Sequence, residues 1–159
     1  MSIDRTDDSS QPLAPGQRAN LDIVLNLIVP PSADGRMPGA AEVGVPAYLF
    51  AEAPDALPVL RRELQELELR SRERFVRGFA DLAQAERHSM IGELRAQQPS
   101  FMSRLAMETL ACYYQHDRVL AGLGREARPP YPKGYQVAQG DLSLLDPVRA
   151  RGKIYRDAP

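Results

Sequence analysis

The chain contains one cysteine, two histidines and no tryptophan. A single cysteine excludes an internal disulfide framework and a thiolate zinc site, and two histidines beside it leave little for soft-metal chemistry. Lysine is scarce too: of 20 Lys+Arg, only Lys133 and Lys153 are lysine. The net charge is -1 at pH 7, so the basic excess of a nucleic-acid module is missing. No apolar run approaches the ~18 residues that mark a membrane span. No GxGxxG or GxxxxGK[ST] loop is present to cradle a phosphate.

What is there suits one soluble domain: 159 residues, 43% hydrophobic and 26% charged. Arginine, unlike lysine, pairs with carboxylates as a fork, which suits a protein–protein surface. Residues 1–19 are polar and acidic, with neither a basic nor an apolar stretch of a secretory signal. Arg5 stands alone, so no twin-arginine leader is formed. These residues are expected to be a disordered lead without an export address. The expected location is cytoplasmic, and periplasmic only if a partner's signal carries the chain.

The middle of the chain has helical period. Leu21, Val24, Leu25 and Ile28 predict a helix over 21–29, stopped by Pro30-Pro31. Residues 32–39 are turn chemistry, tightest at Asp34-Gly35. Pro38 and Pro46 suit first turns, predicting short helices near 40–43 and 46–53. Leu57, Leu60, Leu64, Leu67 and Phe75 place one apolar face on a helix over 57–75. Its other face pairs Arg62 with Glu66, Glu66 with Arg70, Glu68 with Arg72 and Glu73 with Arg77, and reads as solvated. After a turn at 79–82, a helix over 83–97 turns Met90, Ile91 and Leu94 inward, with Glu86 near its positive end.

The helix over 101–115 is apolar almost all round: Phe101, Met102, Leu105, Ala106, Met107, Leu110, Ala111, Cys112, Tyr113 and Tyr114. It is therefore either the central helix of the bundle or a surface covered by a partner. Arg104 and Glu108, four apart, can neutralise each other if their strip is buried. Asp117 is expected to cap a short helix over 118–123, ended by Gly124.

From residue 125 the period stops. Pro129, Pro130, Pro132, Pro147 and Pro159 are spread among Tyr131, Tyr135 and Tyr155 and the cluster Leu142, Leu144 and Leu145. Such a stretch is too apolar for an inert linker, and is expected to be an extended arm needing another surface. It either lies on a partner or folds back onto the apolar helix. The expected architecture is all-α: a disordered lead (1–19), a small irregular helical bundle (20–124) and an extended, proline-rich arm (125–159). The partner-interface candidates are Pro129, Pro130, Tyr131, Tyr135, Leu142, Leu144, Leu145 and Tyr155 in the arm, with Tyr113 and Tyr114 on the apolar helix.

Chemistry is thin. His116-Asp117 is adjacent at a helix end, where the side chains point apart and Asp117 is needed as a cap. His88, among charged neighbours, reads as a surface residue. Cys112 lies on the most apolar helix, where a thiol is a small core residue and not a nucleophile. No catalytic, cofactor-binding or metal-binding set is expected in this chain.

Three segments in order resemble the gluconate 2-dehydrogenase subunit 3 family: LNLIVPPSADGRMPGAAEVGVPAYL at 25–49, FADLAQAERHSMIGEL at 79–94, and FMSRLAMETLACYYQHDRVLAGLG at 101–124 followed by PPYPKGY at 129–135. The resemblance implies a small helical subunit accompanying a large FAD-dependent dehydrogenase of the glucose–methanol–choline type. Its substrates would be sugars, sugar acids or polyols, and a cytochrome subunit can belong to the assembly. The flavin and the catalytic residues would belong to the large subunit, and the small one would support its folding, stability or export. The missing twin-arginine leader departs from exported members. The alternatives are an independent helical enzyme or ligand-binding protein using the Glu108 strip or His116, and a homodimeric structural protein.

Overall fold

In the computed structural model, proline opens helix after helix. Pro15 begins α1 (Pro15–Ile28), Pro46 lies in the first turn of α2 (Val45–Glu52) and Pro58 in that of α3 (Leu57–Phe75). α4 (Gln84–Gln97) follows, and Pro99 begins α5 (Pro99–Tyr113). In a first turn the missing proline N–H costs nothing. α6 is Asp117–Gly122. Short 3-10 turns at Ala40–Val43, Pro54–Ala56 and Phe79–Asp81 join them. The structure describes residues 13–128, 134 and 138–154, and every regular element among these is helical. The fold is all-α. No helix among the described residues is long and apolar enough to cross a membrane.

The chain divides into two units, one ending at Ala127 and one beginning at Arg128. In the first, α1 packs on α3 and on Ala40–Val43, while α5 packs on α2 and α4. One core joins Leu21, Val24 and Leu25 of α1 to Leu60, Leu64 and Leu67 of α3, with Leu49, Phe79, Leu105, Tyr113 and Val119. α1 begins at Pro15, earlier than the expected 21, so residues 15–19 are helical. Asn20 is buried.

The charged face of α3 is only partly solvated. Glu66–Arg70 and Glu68–Arg72 pair at 2.7 Å as expected, but Arg62 turns to Glu63 and Arg77 to Glu86. Arg61 and Glu63 are buried. The Arg61 guanidinium lies 5.9 Å from the Phe50 ring centroid. Glu68 ties three elements together. Its carboxylate accepts from Asn20 Nδ2 (3.1 Å), Phe79 N–H (3.0 Å) and Arg72 Nε (2.7 Å). Burial pushes the Glu68 carboxyl up, but the Phe79 N–H, the Asn20 amide and Arg72 outweigh it and leave the group below its ordinary value.

Two glycines are needed where they stand. A Cβ on Gly39 would collide with Asn26 Oδ1, which accepts from Ala41 N–H (3.1 Å). Gly124 adopts φ +70° and ends α6: its N–H reaches Ala121 O (2.9 Å), and Arg125 N–H reaches Leu120 O (2.8 Å). The cap of α6 is His116, whose Nδ1 accepts from Arg118 N–H (3.3 Å), so the expected capping role of Asp117 is corrected. Asp117 is instead the first helical residue, where a negative charge suits the dipole.

The second unit corrects the expectation of an extended arm within its described part. A 3-10 turn at Leu142–Leu145 runs into α7 (Asp146–Ala150), with Pro147 in the first turn. Asp141 caps it, accepting from Ser143 N–H (3.0 Å) and Ser143 Oγ (2.6 Å).

Candidate partner-docking surface

α5 has two unlike sides. Met102, Leu105, Thr109 and Tyr113 recur at helical spacing and are buried. Thr109 Oγ1 donates back to Leu105 O (2.7 Å), which removes the cost of burying a hydroxyl. The Tyr113 hydroxyl donates to Pro38 O (2.8 Å), and burial raises its pKa. Tyr113 is therefore a core residue, and its placement among the interface candidates is corrected. Its ring is satisfied at both ends, by apolar packing and by one carbonyl.

The opposite side is open. Met107 is 69% exposed and Tyr114 54%. They lie seven residues apart, with half-buried Leu110 and exposed Ala111 between them on the same face. α1, α2, α4 and Ala40–Val43 pack against the helix, yet among the described residues this strip is not part of the core they share. Tyr114 meets the edge of Tyr113, with centroids 5.4 Å apart and planes at 89°, so the exposed ring is braced by the buried one.

Charge pairs stand at both ends of the strip. One turn before Met107, Arg104 donates to both carboxylate oxygens of Asp55 at 2.9 Å. Its Nε lies 4.0 Å from Glu108, so the expected Arg104–Glu108 pair is the looser of the two. Beyond Tyr114, Arg118 reaches Glu42 at 3.2 Å. The Gly39 N–H, with Arg118 beside it, holds the Glu42 carboxyl below its ordinary value. An apolar strip bounded by charge pairs has the layout of an interface with an apolar centre and a polar rim.

In the second unit, Leu142, Leu144 and Leu145 are 54%, 74% and 45% exposed, and Val148 on α7 is 55% exposed. An apolar turn of this kind buries nothing of its own. The remaining arm candidates, Pro129, Pro130, Tyr131, Tyr135 and Tyr155, lie outside the described residues.

The residues singled out for chemistry are occupied otherwise. The Cys112 thiol faces Val43 O at 3.6 Å, and burial pushes its pKa up, away from the thiolate. His116 spends Nδ1 on the α6 cap, and His88 Nδ1 bonds Gln84 O (2.8 Å) within its own helix. No three His, Cys, Asp or Glu side chains gather as a metal site among the described residues.

Sequence reasoning missed two features. Glu68 looks like any member of the Arg/Glu run, and its role depends on Asn20, 48 residues away. Val76 closes α3 at φ +56° while 89% exposed. A β-branched residue in that region is an outlier, and the only sequence signal is the lack of a glycine before Arg77.

No curated protein and no solved structure matches the chain. A family model described as gluconate 2-dehydrogenase subunit 3 matches residues 15–123, which begin with α1 and end just after α6. That match takes in the buried and the open side of α5 alike, and on it the chain belongs to the gluconate 2-dehydrogenase subunit 3 family.

Proposed function

We propose that the chain is a non-catalytic small subunit that binds a large FAD-dependent dehydrogenase of sugars, sugar acids or polyols, and stabilises it or helps it mature. The observation that carries this reading is the open side of α5, where Met107 and Tyr114 are exposed on a helix whose other side is core. Leaving a large side chain such as these in water forgoes about 1.5–3 kcal/mol of burial, which a partner surface would recover. The family's own description as a subunit supports the same reading. The flavin and the reacting groups belong to the large subunit. An independent enzyme finds less support, because Cys112 and His116 are committed to Val43 O and to the α6 cap.

The test is co-expression with a large flavoprotein subunit encoded beside this chain, followed by purification through a tag on this chain. The expected result is a stable complex, with a lower yield of flavin-loaded large subunit when this chain is omitted. A large subunit that folds, loads flavin and never co-purifies would sink the reading. A chain that sediments alone as a dimer would point to the homodimeric alternative.

A further inference from the structure

The charges beside the open strip of α5 do not balance. Both arginines at its ends are already engaged: Arg118 with Glu42 (3.2 Å), and Arg104, through Nη2, with both carboxylate oxygens of Asp55 (2.9 Å). Glu108, half-buried on the side of α5 that meets α2, has only Arg104 Nε at 4.0 Å. Glu52, exposed at the end of α2, makes no ion pair among the described residues. Tyr48 lies one helical turn before Glu52 on α2. Burial raises the Tyr48 pKa, and the negative charges of Glu108 and Glu52 raise it further, so both carboxylates lie close to one phenol. The exposed Met107 and Tyr114 are thus bordered, toward α2, by two carboxylates that this chain pairs weakly or not at all.

We infer that the partner surface docking on α5 sets an apolar side chain against Met107 and Tyr114 and, beside it, an arginine over Glu52 and Glu108. This deepens the subunit reading and rests on it for which protein supplies the surface. Charge complementarity selects the occupant. A purely apolar partner would bury Glu108 further without a counter-charge, which is strongly unfavourable. An acidic one would be repelled. A second copy of this chain fits no better, because a two-fold contact through the strip brings two Glu52–Glu108 edges into one interface. A small free cation would neutralise the carboxylates but leave Met107 and Tyr114 in water. Arginine suits the edge better than lysine, since its planar fork can serve two carboxylates and stack on a phenol ring such as that of Tyr48.

The test follows the Met107 methyl and Tyr114 ring resonances of the full chain during titration with two peptides. One is acetyl-Leu-Phe-Arg-Leu-amide, and the other carries citrulline, uncharged but of the same shape, in place of arginine. The Arg peptide is expected to shift both resonances, and the citrulline peptide to bind about fivefold more weakly. Glu52→Gln should remove part of that difference, and Glu52→Gln with Glu108→Gln all of it. Glu73→Gln, on the exposed face of α3, should leave it unchanged. Melting temperatures of the variants check that the fold is intact. Equal binding of the two peptides, no shift with either, or an undiminished preference in both the single and the double variant overturns the proposal. The same shifts from acetyl-arginine amide alone also overturn it, by reducing the edge to a small-cation site. Because the isolated chain is used, the outcome is independent of co-purification. A chain that prefers the Arg peptide but captures no large subunit refutes the proposed function and leaves the edge standing, whereas one that captures the large subunit and shows no preference overturns the edge alone.

Discussion

The Tyr113 hydroxyl donates to Pro38 O across 2.8 Å and 75 residues of sequence, tying the end of α5 to the turn that precedes Ala40–Val43. Pro38 is itself fully buried, so its carbonyl has no water to fall back on. Tyr113→Phe should therefore leave an unmatched acceptor and cost about 1–3 kcal/mol, read as a lower urea midpoint. An unchanged midpoint would show that the carbonyl finds another donor. Tyr114→Ala makes the contrast: it should change stability far less and weaken any complex more.

Glu68 gives the chain an acid-sensitive joint. Its folded-state pKa lies below the ordinary 4.5. A lowered carboxyl contributes stability that is complete above about pH 4.5 and is lost as pH falls through the folded value. Glu68→Gln should thus be less stable at neutral pH, by about 1–3 kcal/mol, and should show a shallower fall in acid. Chemical denaturation between pH 3 and 7 measures both, and parallel curves for wild type and variant would remove Glu68 from the acid response.

Much of this fold is legible in the sequence, and the reason is local. The stripe of Leu57, Leu60, Leu64, Leu67 and Phe75 marks α3 from end to end, because an apolar face of that length has one period. The turn at Asp34-Gly35 is equally plain: Gly35 takes φ +71°, and Asp34 accepts from Ser32 Oγ (2.6 Å). What the sequence hides is set by distant residues. An Arg/Glu run shows the same pattern whether its members face water or, like Glu63 and Glu68, are drawn inward by other elements. A helical wheel likewise shows that α5 is apolar on nearly every side, but not which sides α1, α2, α4 and Ala40–Val43 come to meet. The open side at Met107 and Tyr114 is a fact about missing neighbours, and no period encodes it.

Val76 offers a stabilising change. Its φ of +56° is unfavourable for a β-branched side chain, and at 89% exposure the side chain gains no burial in return. Val76→Gly should raise the stability of the isolated chain by about 1 kcal/mol, the strain relieved being larger than the added freedom of the unfolded glycine. The thermal midpoint measures it, and a fall instead of a rise would mean that the valine packs on something in solution.

The open strip and the C-terminal unit can be separated by two variants of one complex. Among the described residues, the buried apolar residues of the core fall between Leu21 and Val119, so a chain ending at Ala127 should keep its helical circular dichroism and cooperative melting. Met107→Asp should do the same, since that side chain is 69% exposed and supports nothing beneath it. Both should nevertheless weaken capture of the large subunit. A charge placed on an apolar docking strip must be desolvated without a partner, which is expected to lower affinity by tenfold or more. Loss of residues 128–159 removes Leu142, Leu144, Leu145, Val148 and Ile154, all exposed apolar side chains, and should lower affinity by a similar factor. If Met107→Asp binds at full strength while the shortened chain does not, the partner rests on the C-terminal unit and the α5 strip is only surface. If the shortened chain loses its helices, the C-terminal unit is a structural part of the bundle and its exposed leucines are not an interface.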